Sequence, residues 1–456
     1  MARASPRGIH ERRPQSWLAG RGATRHGLRG TERPFRRGLR ASAALGDSKA
    51  EKRGEGASAD VRVLFLSPYI PSLVRVRPLH WIRELAHLGH EVHLVALCAP
   101  GDEQAPPQDL RRACAAVEVF PLARMRTLAN AARAWRDAST PLQLAYSYHP
   151  RAERHVARLA ASGRFDVVHI EHMRGVALSR RLCNVPIVFD AVDSISALFA
   201  DTAKLAATRG ARLLARLDLE RSRRFEARAP FVFSRVVVTS EREAAAFEAL
   251  AGEAGRRRIA VLPSGVDTAY FRPVGPVEDG AVVFTGKLSY HANEAAALRL
   301  VQRIMPLVWA RRPHTQVILA GKDPSAALKR LGRDARVTVT GYVDDLRTVF
   351  ARAAVGVCPL VYGAGIQNKV LEALACGVPA VVASSAAQAL AGTPGHHYLA
   401  CDDDEGFAEA MLDVLNDTEL RRRLGKAGRQ YVEEHHDWQA LARRLAAVHE
   451  LARAEG

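Results

Sequence analysis

No stretch of this 456-residue chain approaches the roughly 18 apolar residues needed to cross a bilayer, and none has the apolar core of a secretory signal. The body of the chain is therefore expected in the cytoplasm. Cysteine is sparse: Cys98, Cys114, Cys183, Cys358, Cys376 and Cys401 form no CxxC pair. Neither a zinc site nor a disulfide framework is indicated, and these residues read as small buried hydrophobes. Aromatics make up 6% and nowhere interleave with basic residues in a nucleic-acid-binding motif, so nucleic acid is not expected as a partner despite the formal charge of +18. No GxGxxG follows the first apolar run of either half, which argues against a dehydrogenase. No DxD-like acidic pair stands in a fitting place. A metal is not expected, and Asp402, Asp403 and Asp404 read as a loop after a strand.

Acidic residues are scarcest at the start. Residues 1–57 hold 14 Lys and Arg against 5 Asp and Glu, so this segment carries half of the net charge. With few apolar residues and no periodicity it cannot bury enough surface to offset its ordering entropy, and it reads as a disordered basic tail. An Arg-rich, acid-poor start also fits a transit peptide or an extension from an early start codon.

Beyond residue 57 the chain is regular. VRVLFLSPY (61–69), EVHLVALC (91–98), FDVVHIEH (165–172), PIVFDAVDS (186–194) and RVVVTS (235–240) are short apolar runs with amphipathic stretches between most of them. The pattern then restarts with AVVFTGK (281–287), QVILAGK (316–322), VTVTGYV (337–343), VGVCPLV (355–361) and PAVVAS (379–384). Continuous apolar strands separated by helices predict parallel sheets, here an α/β chain of two Rossmann-like doubly wound domains facing across a cleft. The expected divisions are a tail over 1–57, a first domain over 58–270, a second over 271–432 and a C-terminal helix over 433–456. The Pro- and Gly-rich LPSGVDTAYFRPVGPVEDG marks the junction.

Ligands of such sheets bind beyond the carboxyl ends of the strands. There the chain places YGAGIQNKVLEALACG (362–377). Gly363 and Gly365 allow close backbone approach, and the unpaired N–H groups of the first helical turn form an anion site to which Lys369 adds a charge. Val370, Leu371 and Leu374 form the apolar face, with Lys369, Glu372 and Cys376 on the other. Glu372, one turn in, is placed to accept hydrogen bonds from sugar hydroxyls, which together read as a nucleotide-diphosphate site. The spacing fits equally a solvated Lys369–Glu372 ion pair worth a few tenths of a kcal/mol.

The wording of the second half resembles glycosyltransferase family 4, of the GT-B architecture. The resemblance is carried by VVVTSEREAAAFEAL, RIAVLPSGVDTAYFRP, VVFTGKLSYHANEAA, VILAGKDPSAALKRL, VTVTGYVDDLRTVFARAAVGVCPL and GIQNKVLEALACGVPAVVAS, in that order. The GIQNKVLEA and NEAA wording is similar to exopolysaccharide and exosortase-associated sugar transferases. The resemblance implies that Glu372 binds the donor ribose, and that Gly365, Ile366 and Gln367, with Gly286 and Asn368 nearby, hold the diphosphate and sugar. Lys287 falls where the family has a basic residue that neutralises the leaving diphosphate. A second basic residue, due near His291 to Asn293, is missing, so Lys369 is expected to share its work. The first glutamate of the family's pair is also missing, with Ala364 in its place, which bears on donor identity and activity.

In the first half, Arg75, Arg77 and the backbone after Ser67 are candidate acceptor or phosphate contacts, although surface arginines are the plainer reading. Glu171 and His172 are candidates to face the acceptor. Asp190 stands where the family has a histidine, followed by Asp193 and Ser194; Asp190 joins Lys287 and Lys369 as a candidate catalytic group, and Asp193 is a candidate acceptor contact. A lone Asp at a strand end also fits a loop cap. The resemblance implies retaining transfer from a nucleotide sugar to a saccharide or lipid-linked acceptor, in exopolysaccharide or cell-envelope glycan synthesis. Arg and Leu at helical spacing in 204–229 fit contact with anionic membrane, or equally a solvated or interdomain helix. A sugar-nucleotide epimerase and a non-catalytic nucleotide-sugar-binding protein are the alternatives.

Overall fold

The computed structural model describes residues 60–72, 75–99, 101, 105–136, 139–205, 209–273, 280–361 and 365–455. The basic tail, Gly363 and Ala364 lie outside them. The first lobe holds seven strands: β1 (Arg62–Ser67), β2 (Glu91–Cys98), β3 (Ala116–Pro121), β4 (Val167–Glu171), β5 (Ile187–Val192), β6 (Arg235–Val238) and β7 (Ile259–Val261). The second holds six: β8 (Ala281–Thr285), β9 (Val317–Ala320), β10 (Val337–Gly341), β11 (Ala353–Cys358), β12 (Ala380–Ala383) and β13 (Leu399–Cys401). Every strand pairing within both sheets is parallel.

All ten expected apolar runs are strands. β3, β7 and β13 are additional, and each lies at a sheet edge, where a strand is covered less completely and its apolar run is shorter or mixed. β3, for example, is half-buried along most of its length. Interior strands are different: Val63, Leu64, Phe65 and Leu66 of β1 are all fully buried, because helices cover both faces of the sheet.

Strand order fixes where a ligand can enter. The first sheet runs β3-β2-β1-β4-β5-β6-β7 and the second β10-β9-β8-β11-β12-β13. Order therefore reverses between β1 and β4 in one lobe, and between β8 and β11 in the other. At such a reversal the helices that follow the two strands cover opposite faces, which leaves a crevice at the carboxyl edge.

The last two helices join the lobes. Thr418–His435 packs against the helix Asn368–Ala375 of the second lobe. Asp437 caps the next helix, Trp438–Ala454, by accepting from the Ala440 N–H at 3.0 Å, and that helix returns to the first lobe. Trp438, Leu441 and Leu445 share a core with Ile70, Trp81 and Leu85. The outgoing and returning chains also meet, with Thr268 Oγ1 donating to Asp437 at 2.8 Å.

Candidate functional site

A cavity of about 230 Å³ lies between the lobes, at the carboxyl ends of the strands. From the first lobe it is lined by Tyr69, Arg75, Glu171, Val192, Asp193 and Thr239, among others, and from the second by Gly365, Ile366 and Asn368. The start of the Asn368–Ala375 helix thus faces the gap, as its sequence implies. Gly365 has φ +83°, and a Cβ placed there would lie 3.1 Å from Asp193 Oδ1. Only glycine combines that backbone with so close an approach. In the first turn, Val370 and Leu371 donate back to the Gln367 carbonyl. The amides of Asn368 and Lys369 have no acceptor among the described residues, the arrangement that binds an anion.

Glu372, Lys369, Lys287 and Gly286 lie outside the cavity lining. Lys369 Nζ donates to Asn293 Oδ1 at 3.1 Å and to Gln367 Oε1 at 3.2 Å, beside Gly286, whose φ of +142° opens the chain after β8. Asn293 in turn donates to the Lys287 carbonyl at 3.0 Å. The region that lacks a second basic residue thus contributes a clamp that aims Lys369 at the helix tip. Lys287 is exposed, and its ammonium has no partner among the described residues. Glu372 is half-buried, and its carboxylate accepts no hydrogen bond from a described residue. Desolvation pushes its carboxyl up to about 7, against the opposing pull of Lys369. The Lys369–Glu372 ion pair of the plainer reading is not made. Cys376, placed on the polar side by its spacing, is instead buried, and Cys183 departs from the expected burial by being exposed.

Asp190 requires a correction. It is completely buried, and both oxygens are occupied. Arg77 Nε and Nη2 donate to it at 2.9 and 3.2 Å, Trp81 Nε1 at 3.0 Å and the Val192 N–H at 3.1 Å. Arg77 is equally committed, donating also to the carbonyls of Leu262 and Pro263. Asp190 therefore positions the first helix, β5 and the interlobe linker, and has no atom to offer a substrate. The sequence could not reveal this, because the partner lies 113 residues away.

Glu171 is the opposite case. It is also buried, but only Oε1 is engaged, by the Tyr69 hydroxyl at 3.2 Å, and Oε2 has no partner. Desolvation, reinforced by Asp190, pushes its carboxyl up to about 8, so near neutral pH the group holds a proton. Desolvation likewise raises Asp193. His172 is lowered to about 4 by burial and by neighbouring arginines; its Nδ1 accepts from the Arg174 N–H at 3.2 Å, and it does not line the cavity. Arg75 is exposed at the mouth, with its guanidinium 4.5 Å from the Tyr69 ring centroid.

His172 and Val192 have φ of +60° and +65° at the ends of β4 and β5. For β-branched Val192 this is a costly conformation of the kind that collects at binding sites. Sequence reading missed Tyr69, Val192 and Thr239 as cavity residues, since none belongs to a charged motif. His169, Glu171 and Asp190 have potential ligand atoms within 4.8 Å of one another. Asp190's oxygens are already taken, and the adjoining guanidinium opposes a cation.

Comparison with known proteins fits this geometry. The profile described as Glycosyltransferase Family 4 matches residues 74–270, and Glycosyl transferases group 1 matches residues 279–417. A GDP-mannose-dependent monoacylated alpha-(1-6)-phosphatidylinositol monomannoside mannosyltransferase of Corynebacterium glutamicum is 29% identical over 210 residues, 41% of this chain and 55% of that protein. The chain thus spans only about half the length of that relative. A phosphatidyl-myo-inositol mannosyltransferase of Mycolicibacterium smegmatis is 25% identical over 323 residues, 68% of this chain and 77% of that one. Among solved structures, a sucrose-phosphate synthase from Thermosynechococcus elongatus superposes with a TM-score of 0.65 at 18% identity, over 87% of this chain and 100% of that one. Both lobes match, in the order the sequence motifs run, and the chain belongs to glycosyltransferase family 4 with the two-lobed GT-B architecture.

Proposed function

We propose that the protein transfers a sugar, with retention, from a nucleotide-diphosphate sugar to a saccharide or lipid-linked saccharide acceptor in exopolysaccharide or cell-envelope glycan synthesis. The observation that carries this reading is the helix tip at Gly365–Asn368, which presents free amides to the interlobe gap with the unpartnered Glu372 one turn behind. The amides hold the diphosphate, Glu372 accepts from the ribose hydroxyls, and Lys287 and Lys369 stabilise the charge that develops on the leaving group. Catalysis then rests on positioning and electrostatics. Glu171, Asp193 and Arg75 face the acceptor across the cavity. The GDP-mannose-dependent relative makes GDP-mannose the first donor to try.

A thermal-shift panel of UDP-, GDP- and ADP-sugars tests this directly. A donor that binds the folded chain raises Tm by mass action, about 2.7 kcal/mol at a hundredfold excess over Kd. One nucleotide class is expected to raise Tm; no response from any would overturn the reading. Release of the nucleotide only when an acceptor is added separates transfer from binding alone.

A further inference from the structure

The helix Arg124–Arg136 turns its apolar side outward. Its inward face is polar or small: Thr127, Asn130 and Ala134 are buried. Asn130 Nδ2 donates to the carbonyls of Tyr146 and Tyr148 at 3.2 and 2.8 Å, and Thr127 Oγ1 to that of Arg124 at 2.7 Å. Its outward face carries Met125, 76% exposed, and Leu128, 65% exposed. Ala129 and Ala132 are exposed with them, which completes an i, i+3, i+4, i+7 apolar stripe. A surface helix in water shows the reverse arrangement, and an apolar stripe left outside marks a contact.

Charge identifies the contact. The helix sequence, RMRTLANAARAWR, has four arginines and no acid, and Arg124 and Arg133 are exposed with no ion pair to a described residue. Apolar side chains flanked by arginines fit an anionic lipid surface, where the stripe enters the acyl boundary and the guanidinium groups meet headgroups. The neighbouring helix Arg209–Val232, whose Arg221 donates to the Ala134 carbonyl at 3.2 Å, continues the theme with exposed Leu213, Arg216 and Leu217.

Position agrees with this. The helix begins three residues beyond β3, at the carboxyl edge that bears the cavity. It packs on Leu142–Tyr146, where Gln143 accepts from Arg174 Nε at 3.3 Å, three residues past Glu171.

We propose that Arg124–Arg136 is an interfacial helix that seats the first lobe on an anionic membrane, with Met125 and Leu128 inserted. This extends the reading of a lipid-borne acceptor, but vesicle binding is measured without any sugar donor, so its failure leaves the donor experiment untouched. The test is co-sedimentation of the full chain with vesicles of phosphatidylglycerol and phosphatidylcholine, against phosphatidylcholine alone. Binding is expected to the anionic vesicles only and to weaken with salt. M125S/L128S should weaken it about tenfold and R124A/R133A about thirtyfold, with Tm unchanged in both. Failure to bind, or equal binding by M125S/L128S and the parent chain (which would assign attachment to the basic tail), would overturn the proposal. So would a dimer, seen by light scattering, that M125S/L128S abolishes, since the stripe would then belong to a second copy.

Discussion

The two switch points are built on the same topology and use charge in opposite ways. In the first lobe Arg77, Asp190 and Trp81 satisfy one another in a closed, buried network. In the second, the Lys287 and Glu372 side chains have no partner among the described residues, and Lys369 meets only neutral groups, the Asn293 and Gln367 amides and the Phe284 ring. One set of charges is spent in holding the mouth in shape, and the other forms no ion pair among the described residues. Proximity to a strand end does not distinguish them; the number of occupied acceptors does.

Breaking the closed network gives the largest expected effect. Arg77→Ala leaves Asp190 buried without its counter-ion, which costs about 3–5 kcal/mol; urea unfolding should record that loss, and an unchanged midpoint would dissolve the contrast. On the open side Lys287→Ala should lower kcat by about 10²–10³ while leaving urea unfolding unaltered. Glu372→Gln comes next. Removing a charged acceptor from the ribose should weaken donor binding by about 1.5–3 kcal/mol, read by calorimetric titration, with no loss of stability, since glutamine avoids the desolvation that raises this carboxyl.

The last prediction is a pH dependence and concerns Glu171, which stands between the two plans, buried like Asp190 yet half unpartnered. Its folded carboxyl is raised from 4.5 to about 8. Its contribution to stability is therefore complete below pH 4.5 and is lost as pH rises through about 8. Glu171→Gln, which resembles the protonated acid, should flatten the decline of Tm between pH 5 and 8. The residual slope belongs to groups raised in the same way, such as Glu243 at about 7. An identical slope in the variant would show that Glu171 does not carry that proton.

Much of the fold could be read directly. Nine interior strands announce themselves because burial on both faces demands unbroken runs of Val, Ile and Leu, and the edge strand β10 shows itself by its alternating VTVT; β3, β7 and β13, the other edges, carry no such signature. The helix Asn368–Ala375 and the Gly365 turn before it were legible as well, because glycine at positive φ and amides at a helix start are local properties. Asp190 was not, since a carboxylate that binds substrate and one that binds a distant arginine look alike along the chain.

Residue order alone was enough to specify two doubly wound lobes, a family and a helix tip suited to phosphate, all of which arise from short-range pattern and propensity. Packing in three dimensions settled which charged groups are spent and which remain free, that Asn293 aims Lys369, and that Arg124–Arg136 faces outward with its apolar side. Each of those depends on which residues far apart in the chain come within hydrogen-bonding or packing distance, and no local pattern encodes that.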